Sequence, residues 1–409
     1  MTDIATLRNI LRDGTAFLHT PRRGLVDREC LDALKGREKF EVVEVLTGVR
    51  RSGKSTILHE VGRRLAEKGH DVVYINFEDE RLIPLPGDFQ DILGLITSDT
   101  PVLLLDEPQN MPGWERWVRR LHDRGIKVYL TGSNSRLLGS ELATALSGRN
   151  RTHEVFPFSF CEYLKVKASG RMPSDRLTMH LGEYIVEGGF PYPIISGDRI
   201  HADYRRDIVE RDILLRHRMS DPERFRILVN FILSNPGIPL SKKRVRGLLD
   251  IHHSTMRKYL GYMEEAFLVI TLEKYGRSRR VGLQNPKKVY SVDNGLLLEK
   301  SGRGLLLESA VVQHIRRLTP NLYYWKDVKG REVDIYIPDI KLAIQVVYEL
   351  NPQNIAREEA ALDSAVEELD CEGLIVYMYK KTETRYNSVN AIDFLQVSDP
   401  DGLKAVGES

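Results

Sequence analysis

Short apolar runs alternate with helical periodicity along residues 40–158, a pattern typical of a parallel α/β sheet. Residues 160–240 lack such runs and are predicted to be helical, with interruptions at Gly188–Pro191 and Asn235–Gly237. We therefore expect an α/β domain followed by a helical segment. The five predicted strands are Phe40–Leu46, Asp71–Phe77, Val102–Asp106, Lys127–Thr131 and His153–Phe156.

The second half of the chain predicts two further units. Residues 224–290 are predicted to form three helices and a hairpin, and residues 304–380 predict a second α/β core. That core is predicted to run helix, strands 322–325, 332–337 and 343–348, helix 353–369 and strand 373–379. Residues 398–409 are predicted to form a loose tail. The predicted division is an α/β domain with an N-terminal extension (1–160), a helical lid or linker (161–222), a winged helix (223–295) and a C-terminal α/β domain with the tail (296–409).

Composition excludes several classes of protein. With 409 residues, 42% hydrophobic and 29% charged, the chain is an ordinary folded protein rather than a disordered or fibrous one. No apolar run approaches the ~18 residues that a membrane helix needs. Charges in the first residues, MTDIATLRNILRDG, argue against a signal peptide, and three scattered cysteines suggest neither a disulfide framework nor a zinc site. We expect a cytoplasmic protein with no membrane partner.

The near-neutral net charge of +2 conceals a basic segment. Residues 241–288 contain twelve Lys or Arg and four acids, a local balance of +8, which leaves −6 for the remainder of the chain. A basic block in an acidic chain indicates a polyanionic partner.

The strongest motif is GVRRSGKS at residues 48–55, which matches GxxxxGK[ST] at every fixed position. It follows an apolar strand and opens a helix, so backbone N–H groups and the helix N-terminus can surround a phosphate. Lys54 is predicted to reach the β- and γ-phosphates, and the Ser55 hydroxyl to ligate Mg²⁺. The predicted nucleotide-binding residues are Gly48, Val49, Arg50, Arg51, Ser52, Gly53, Lys54, Ser55, Thr56 and Ser133.

A second motif, PVLLLDEPQ, ends a buried strand with two adjacent carboxylates. Asp106 suits the Mg²⁺ shell, and Glu107 suits orienting and deprotonating an attacking water. Thr131-Gly132-Ser133 would sense the γ-phosphate or form a plain turn, and Asn76 is a candidate to hold Glu107 off the water. The strand order is that of ATPases with an inserted central strand, with the phosphate-loop strand predicted between the two neighbours of the acid strand.

Arg149, in LSGRNR, ends a helix just before the fifth predicted strand. It is a candidate arginine finger for the nucleotide of a neighbouring subunit, or else a solubilising surface residue. With this arginine included, the predicted catalytic residues are Lys54, Glu107 and Arg149.

Taken together, GVRRSGKST, LLLDEPQ, YLTGS, SGR and PFSFCEYL resemble the prokaryotic AAA-type ATPases that carry a C-terminal domain of unknown function, a group related to the archaeal ATPase and STAND-like branch. The resemblance covers roughly residues 5–395. EGGFP, residues 187–191, is similar to the Gly-x-Pro element of this branch. The resemblance implies a nucleotide-dependent machine, often oligomeric, and leaves the substrate open.

Residues 224–290, which include the basic segment, resemble a winged helix. FRILVNFILSNPG, LSKKRVRGLLD and HHSTMRKYLGYMEEAFL would be its helices, and VITLEKYGRSRRVGLQNPKKVY its wing. In that motif the third helix enters the major groove and the wing contacts phosphates. The local balance of +8 favours duplex DNA over a winged helix used only for packing or protein contact. His252 and His253 have no matched ligands, so a metal is not expected there. The predicted DNA-binding residues are Ser254, Thr255, Arg257, Lys258, Arg277, Arg279 and Arg280.

The C-terminal domain resembles a restriction-endonuclease-like core. Such nucleases hold Mg²⁺ with an acid at one strand end and an acid-x-Lys on the next strand. Glu308 and Asp334 fill two places, but Gln345 replaces the second acid and Val347 stands where the lysine should be. Lys341 could substitute only in an unusual geometry. We therefore predict a degenerate nuclease fold used for binding or assembly, without cleavage.

These features predict a Mg²⁺-dependent ATPase, acting as a homo-oligomer, that couples its nucleotide state to DNA binding through a winged helix. ATP and Mg²⁺ are the expected cofactors. Two other classes stay open: an ATP-dependent signalling switch or scaffold that contacts proteins, and an ATP-regulated DNA nuclease.

Overall fold

The computed structural model describes most of the chain. Two compact units are formed, one of residues 1–156 with Glu265–Phe267 and the other of residues 157–264 with 268–409. Two predicted groups lie outside the described residues: the second helix of the winged helix and Arg277, Arg279 and Arg280 of the wing. The described residues are 4–20, 25–34, 36, 42–82, 88–96, 101–134, 146, 148–167, 170, 172–241, 247, 251–276, 285–298 and 302–408.

The first unit is an α/β domain built on a five-stranded sheet. Its helices are α1 (Ile4–His19), α2 (Lys54–Glu67), α3 (Asp88–Leu95) and α4 (Trp114–Asp123). Its strands are β1 (Val43–Thr47), β2 (Val72–Asn76), β3 (Val102–Asp106), β4 (Lys127–Gly132) and β5 (Asn150–Glu154).

All pairings in this sheet are parallel, in the order β2-β3-β4-β1-β5. The inserted strand is β4, which separates the phosphate-loop strand β1 from the acid strand β3. The sequence prediction that β1 lies between the neighbours of β3 is therefore wrong, because β1 lies between β4 and β5. The carboxyl ends of β1 and β3 still meet at one edge, so both motifs share one site.

Both faces of this sheet are covered. Alternate strand residues such as Val45, Leu105 and Leu130 pack against α1 and α4 through Leu7 and Trp117. The intervening strand residues pack against α2. Helix α1 crosses the edge strand β2 so closely that a Cβ at Gly14 would lie 2.2 Å from the Tyr74 carbonyl oxygen. Because both faces are buried, β1 to β4 are mainly apolar, whereas the edge strand β5 is polar and partly exposed.

The second unit contains helices and one mixed sheet. Its helices are α5 (Phe160–Lys167), α6 (Ser174–Glu187), α7 (Pro191–Ser196), α8 (His201–Asp207, continued by a π-helical turn at Ile208–Leu214), α9 (Pro222–Ser234), α10 (His253–Glu265), α11 (Arg303–Leu318), α12 (Ile355–Leu369), α13 (Ala391–Phe394) and α14 (Gly402–Glu408). Its strands are β6 (Val269–Lys274), β7 (Lys288–Ser291), β8 (Tyr323–Lys326), β9 (Glu332–Ile337), β10 (Leu342–Leu350), β11 (Glu372–Lys380) and β12 (Asn387–Asn390).

The seven strands follow the order β12-β11-β10-β9-β8-β6-β7. The antiparallel β6–β7 hairpin, which the sequence assigns to a wing, is continuous with the C-terminal strands because β6 pairs with β8 in parallel. A helix followed by a hairpin is present at α10, β6 and β7. The winged-helix assignment and the boundaries between the four predicted domains nevertheless stay predictions.

The C-terminal tail is wrongly predicted to be loose. Asp399 Oδ1 accepts a hydrogen bond from Gly402 N at 2.8 Å and starts α14, and Leu403 of that helix is fully buried. Burial of this apolar side chain favours an ordered segment, and Lys404 Nζ also pairs with Glu372 at 2.8 Å. Within the described ranges, no helix is both long and apolar enough to cross a membrane.

Candidate nucleotide site

The loop between β1 and α2 has the backbone that a phosphate cradle needs. Gly48 and Gly53 have φ of 142° and 102°, values that side chains disfavour. A Cβ at Gly48 would also lie 2.2 Å from the Val155 carbonyl oxygen. These two glycines are therefore required by the geometry of the loop, as the motif predicts.

Lys54 lies inside this loop. Its ammonium donates to the carbonyl oxygens of Gly48 and Val49 at 2.9 and 3.0 Å, and its side chain is buried. The Lys54 ammonium is therefore held against the backbone of the loop, where it could contact a bound phosphate group.

Arg28, which sequence reasoning missed, ties the segment before β1 to this loop. Its guanidinium donates to the Ser52 and Phe156 carbonyl oxygens at 2.9 and 2.6 Å, and the residue is buried. Beside it lies a cavity of ≈ 380 Å³. No motif marks Arg28, because its role depends on two carbonyl groups distant in sequence.

The structure brings the predicted Mg²⁺ ligands together. Ser55 Oγ lies 3.1 Å from Asp106 Oδ1, Tyr74 donates to Asp106 Oδ2 at 2.8 Å, and Thr131 also donates to Asp106 Oδ1. Burial raises the pKa of Asp106, and these hydrogen bonds oppose that rise. A hydroxyl and a carboxylate are oxygen ligands of the kind Mg²⁺ prefers, so the residues present fit the ion.

Glu107 is held in a specific orientation. Its backbone is left-handed, with φ 53°, and its Oε2 accepts hydrogen bonds from Gln109 Nε2 and from Ser133 N and Oγ, the last two at 3.3 and 3.4 Å. Asn76 instead accepts a hydrogen bond from Glu78 N at 2.9 Å, so it caps a turn. The hypothesis that Asn76 holds Glu107 is therefore wrong for this structure, since Gln109 makes that contact.

Arg149 lies away from this cluster. It directly precedes β5, and Asn150 pairs with Val43 at the start of β1, so Arg149 is at the sheet edge opposite the phosphate loop. Its Nη1 lies 3.0 Å from Asp123 Oδ1, and its side chain is 54% exposed. Within this chain it is not part of the nucleotide site.

The predicted DNA-binding residues of α10 share a surface. Ser254, Arg257 and Lys258 are exposed and Thr255 is half-buried. The opposite face buries Met256, Tyr259, Leu260 and Met263. The Lys258 ammonium also lies over the Tyr262 ring, 5.8 Å from its centroid.

In the second unit, Glu308 and Asp334 do come together, but around Lys288, which sequence reasoning missed. Gln345 is close to them: its Oε1 accepts from Asp334 N at 3.3 Å, and its Nε2 donates to Glu358 at 2.6 Å. Lys341 is engaged elsewhere, 2.9 Å from Asp370 Oδ2.

Comparison with known proteins identifies an AAA-type domain that includes the phosphate loop and the acid strand. The family model "AAA domain" matches residues 41–164, and a "Domain of unknown function (DUF8612)" matches residues 178–304. The chain is also similar to DnaA from Aquifex aeolicus bound to AMPPCP, with 15% identity over 58% of this chain and 86% of that one. The TM-score of 0.28 is too low to define the fold.

Two relatives match nearly the full length. An uncharacterized protein of Haemophilus influenzae is 30% identical over 360 residues, 81% of this chain and 89% of that protein. The uncharacterized protein MJ1544 of Methanocaldococcus jannaschii is 32% identical over 378 residues, 86% of this chain and 85% of that protein. At this identity and coverage, the chain belongs to the same family as MJ1544, with an AAA-type ATPase-like domain at residues 41–164.

Proposed function

We propose that this protein hydrolyses ATP in a Mg²⁺-dependent reaction. The observation that supports the proposal most is the 3.1 Å approach of Ser55 Oγ to Asp106 Oδ1. Lys54 precedes Ser55 and donates to the carbonyl oxygens of the phosphate loop, and Glu107 follows Asp106 in the chain. Ser55 and Asp106 would hold the ion, Lys54 would neutralise the phosphates, and Glu107 would orient water. Mg²⁺ would supply charge neutralisation between the phosphate oxygens.

The cavity beside the loop supports a nucleoside triphosphate over a simple phosphate. It is lined by Arg28, Thr56 and Ile57, so it continues from the end of the phosphate motif onto the first turn of α2. A volume of ≈ 380 Å³ is at the lower end of ordinary ligand pockets. We place the ribose and base here.

The test is nucleotide binding and turnover in two variants. Lys54→Ala removes the cation that faces the phosphates, so ATP binding should be lost. Glu107→Gln keeps the metal acid Asp106, so binding should persist while turnover falls by about 10²-fold or more. Lys68→Ala, at the end of the same helix, is the matched control and should hydrolyse normally. Wild-type turnover by Glu107→Gln would contradict the assignment of the water-orienting acid.

We further propose that duplex DNA is the partner of the second unit. Of the twelve cations in 241–288, Lys287 pairs with Glu264 and Glu273, and Lys288 pairs with acids beyond the segment. Counted from the sequence, the segment has eight more cations than acids. The exposed side chains of α10 would contact DNA in the groove, and the wing arginines its phosphates.

We also propose a homo-oligomer in which Arg149 serves the nucleotide of another copy. Its place at the far edge of the sheet excludes it from the site of its own chain. It is 54% exposed, and an exposed ion pair such as the one with Asp123 can be exchanged at little cost.

A further inference from the structure

Three carboxylates surround one buried ammonium group in the second unit. Lys288, the first residue of β7, places Nζ 2.8 Å from Glu332 Oε1, 3.3 Å from Glu308 Oε1 and 3.5 Å from Asp334 Oδ1. Its side chain is only 4% exposed. The lysine therefore connects the hairpin to α11, which carries Glu308, and to β9, which carries Glu332 and Asp334. We call these four residues the Lys288 cluster.

Each acid of the Lys288 cluster has a second donor. Tyr290 donates to Glu308 Oε1 at 2.6 Å, Val346 N donates to Asp334 Oδ2 at 3.0 Å, and Lys326 donates to Glu332 Oε2 at 2.9 Å. Buried charges are tolerated when they are paired and hydrogen-bonded. In Asp334 and Glu332 the second donor binds the other oxygen, whereas Tyr290 shares Glu308 Oε1 with Lys288.

The pKa directions agree with a charged lysine. Burial alone would lower the pKa of Lys288, but the surrounding Tyr290, Glu308, Asp334 and Glu332 raise it well above its ordinary value. Burial, reinforced by the charge of Glu308, raises the pKa of Asp334 to about 7. The ammonium therefore stays protonated at neutral pH.

A nuclease-type Mg²⁺ does not fit these residues. The ion would need oxygens of Glu308 and Asp334 that already face Lys288, while both amide atoms of Gln345 are engaged with Asp334 and Glu358. Val347 belongs to an apolar core with Ala361 and Leu362, so a catalytic lysine could not be charged there. Across the described ranges, no three acidic, His or Cys side chains are arranged to hold a metal.

We propose that the Lys288 ammonium replaces the divalent cation of a nuclease-type site, so that the cluster takes no metal and instead fastens the hairpin to α11 and β9. Removal of the lysine should then expose a latent divalent-cation site. The proposal is independent of ATP hydrolysis.

Thermal unfolding without nucleotide tests this, with and without millimolar Mn²⁺. In the wild type these acids should bind no Mn²⁺. Mn²⁺ should therefore shift the unfolding midpoint of wild type and of Asp334→Asn by the same amount. Lys288→Met should unfold about 10 °C lower, because three half-buried acids lose the cation that they share. Mn²⁺ should restore several degrees by binding the native state. The double variant Lys288→Met with Asp334→Asn should show no such recovery with Mn²⁺. Any effect of Mn²⁺ bound at Asp106 is common to all variants.

Two results would overturn the proposal. One is Mn²⁺ stabilisation of the wild type that Asp334→Asn abolishes, since a metal would then bind alongside Lys288. The other is a folded Lys288→Met whose midpoint ignores Mn²⁺. If Lys288→Met does not fold, Lys288→Met with Glu308→Gln removes one charge of each sign. Recovery of a folded protein supports the ion cluster, and a double variant as damaged as the single one contradicts it.

Discussion

The Glu107 carboxylate is the group on which turnover would depend most, and the structure holds it by three donors on one oxygen. Two of these donors, from Ser133, are long. The third, from Gln109, comes from the 3₁₀ turn that directly follows Glu107. Gln109 therefore controls how freely the carboxylate can turn towards a water molecule.

We expect Gln109→Ala to raise basal kcat about two- to fivefold with little change in KM. Loss of one hydrogen bond to a carboxylate, about 1.5–3 kcal/mol before compensation, frees Glu107 to orient water. Steady-state ATPase kinetics measure this, with Asn110→Ala on the same turn as control. A fall in kcat would show that Gln109 orients Glu107 productively instead.

Asp293 is a fully buried acid in the second unit. Its two oxygens accept from Gly189 N and Gly295 N at 2.7 and 2.8 Å, and Gly189 belongs to the EGGFP segment. Burial raises the pKa of Asp293 from 3.8 to about 6. The native state therefore binds the Asp293 proton more tightly than the unfolded state does. The contribution of Asp293 to the free energy of unfolding consequently falls as the pH rises from 3.8 to about 6.

Asp293→Asn should flatten that part of the pH profile. Relative to wild type, its free energy of unfolding should rise by up to about 3 kcal/mol between pH ~4 and pH ~7, whatever the constant cost of the lost acceptor. Urea unfolding at several pH values measures the difference. The neutral His314, whose pKa burial lowers to about 3, titrates equally in both proteins and cancels. Parallel profiles would contradict the assigned pKa.

At the level of residues, the approach of Ser55 to Asp106 could be predicted because two short motifs end at neighbouring parts of one sheet edge. The roles of these residues stay predictions. Sequence reasoning named Asn76 where Gln109 contacts Glu107, and it did not identify Lys288 as the lysine among the C-terminal acids. Those partners depend on which side chains face inward across elements far apart in sequence, and periodicity does not encode that.

Four strands of the first sheet were predictable because their faces are buried, so that β1 to β4 are short, mainly apolar runs. β1 begins at Val43, three residues after its predicted start, and β5 begins at Asn150, three residues before its predicted start. β5 is polar and partly exposed, so its bounds follow from pairing with β1 rather than from an apolar run. The order of β1 was mispredicted, since order depends on crossover connections rather than composition. The joining of the hairpin to the C-terminal sheet likewise depends on a two-residue pairing, Glu273–Tyr323 and Lys274–Tyr324.

The hairpin carries the next prediction. Replacement of Arg277, Arg279 and Arg280 by alanine should weaken duplex binding and lower its salt dependence by about 0.9 per lost phosphate contact. Sequence preference should respond instead to Ser254, Thr255 and Arg257. Fluorescence anisotropy at several salt concentrations measures both. Replacement of the exposed Lys329, Lys380 and Lys381 removes the same charge and should leave the slope unchanged. Equal affinity of the wing variant and wild type would exclude the wing as the DNA contact.

At the scale of the assembly, Arg149 would complete a site on another copy. Arg149→Ala and Lys54→Ala should each be inactive alone, yet mixed oligomers should regain part of the activity, because one interface then has an intact loop and an intact finger. ATPase rates across mixing ratios measure this once mixed oligomers are shown by mass. No recovery in such oligomers would mean that the arginine is not shared.

Coupling between nucleotide and DNA is the central claim for the whole molecule. The most direct measurement is the ATPase rate of the wild-type protein with and without duplex DNA, at low and moderate salt, with Glu107→Gln as the background control. We predict that DNA raises the wild-type rate severalfold, that moderate salt weakens the effect, and that Glu107→Gln stays inactive throughout. An ATPase rate that duplex DNA leaves unchanged at every salt concentration would contradict the account.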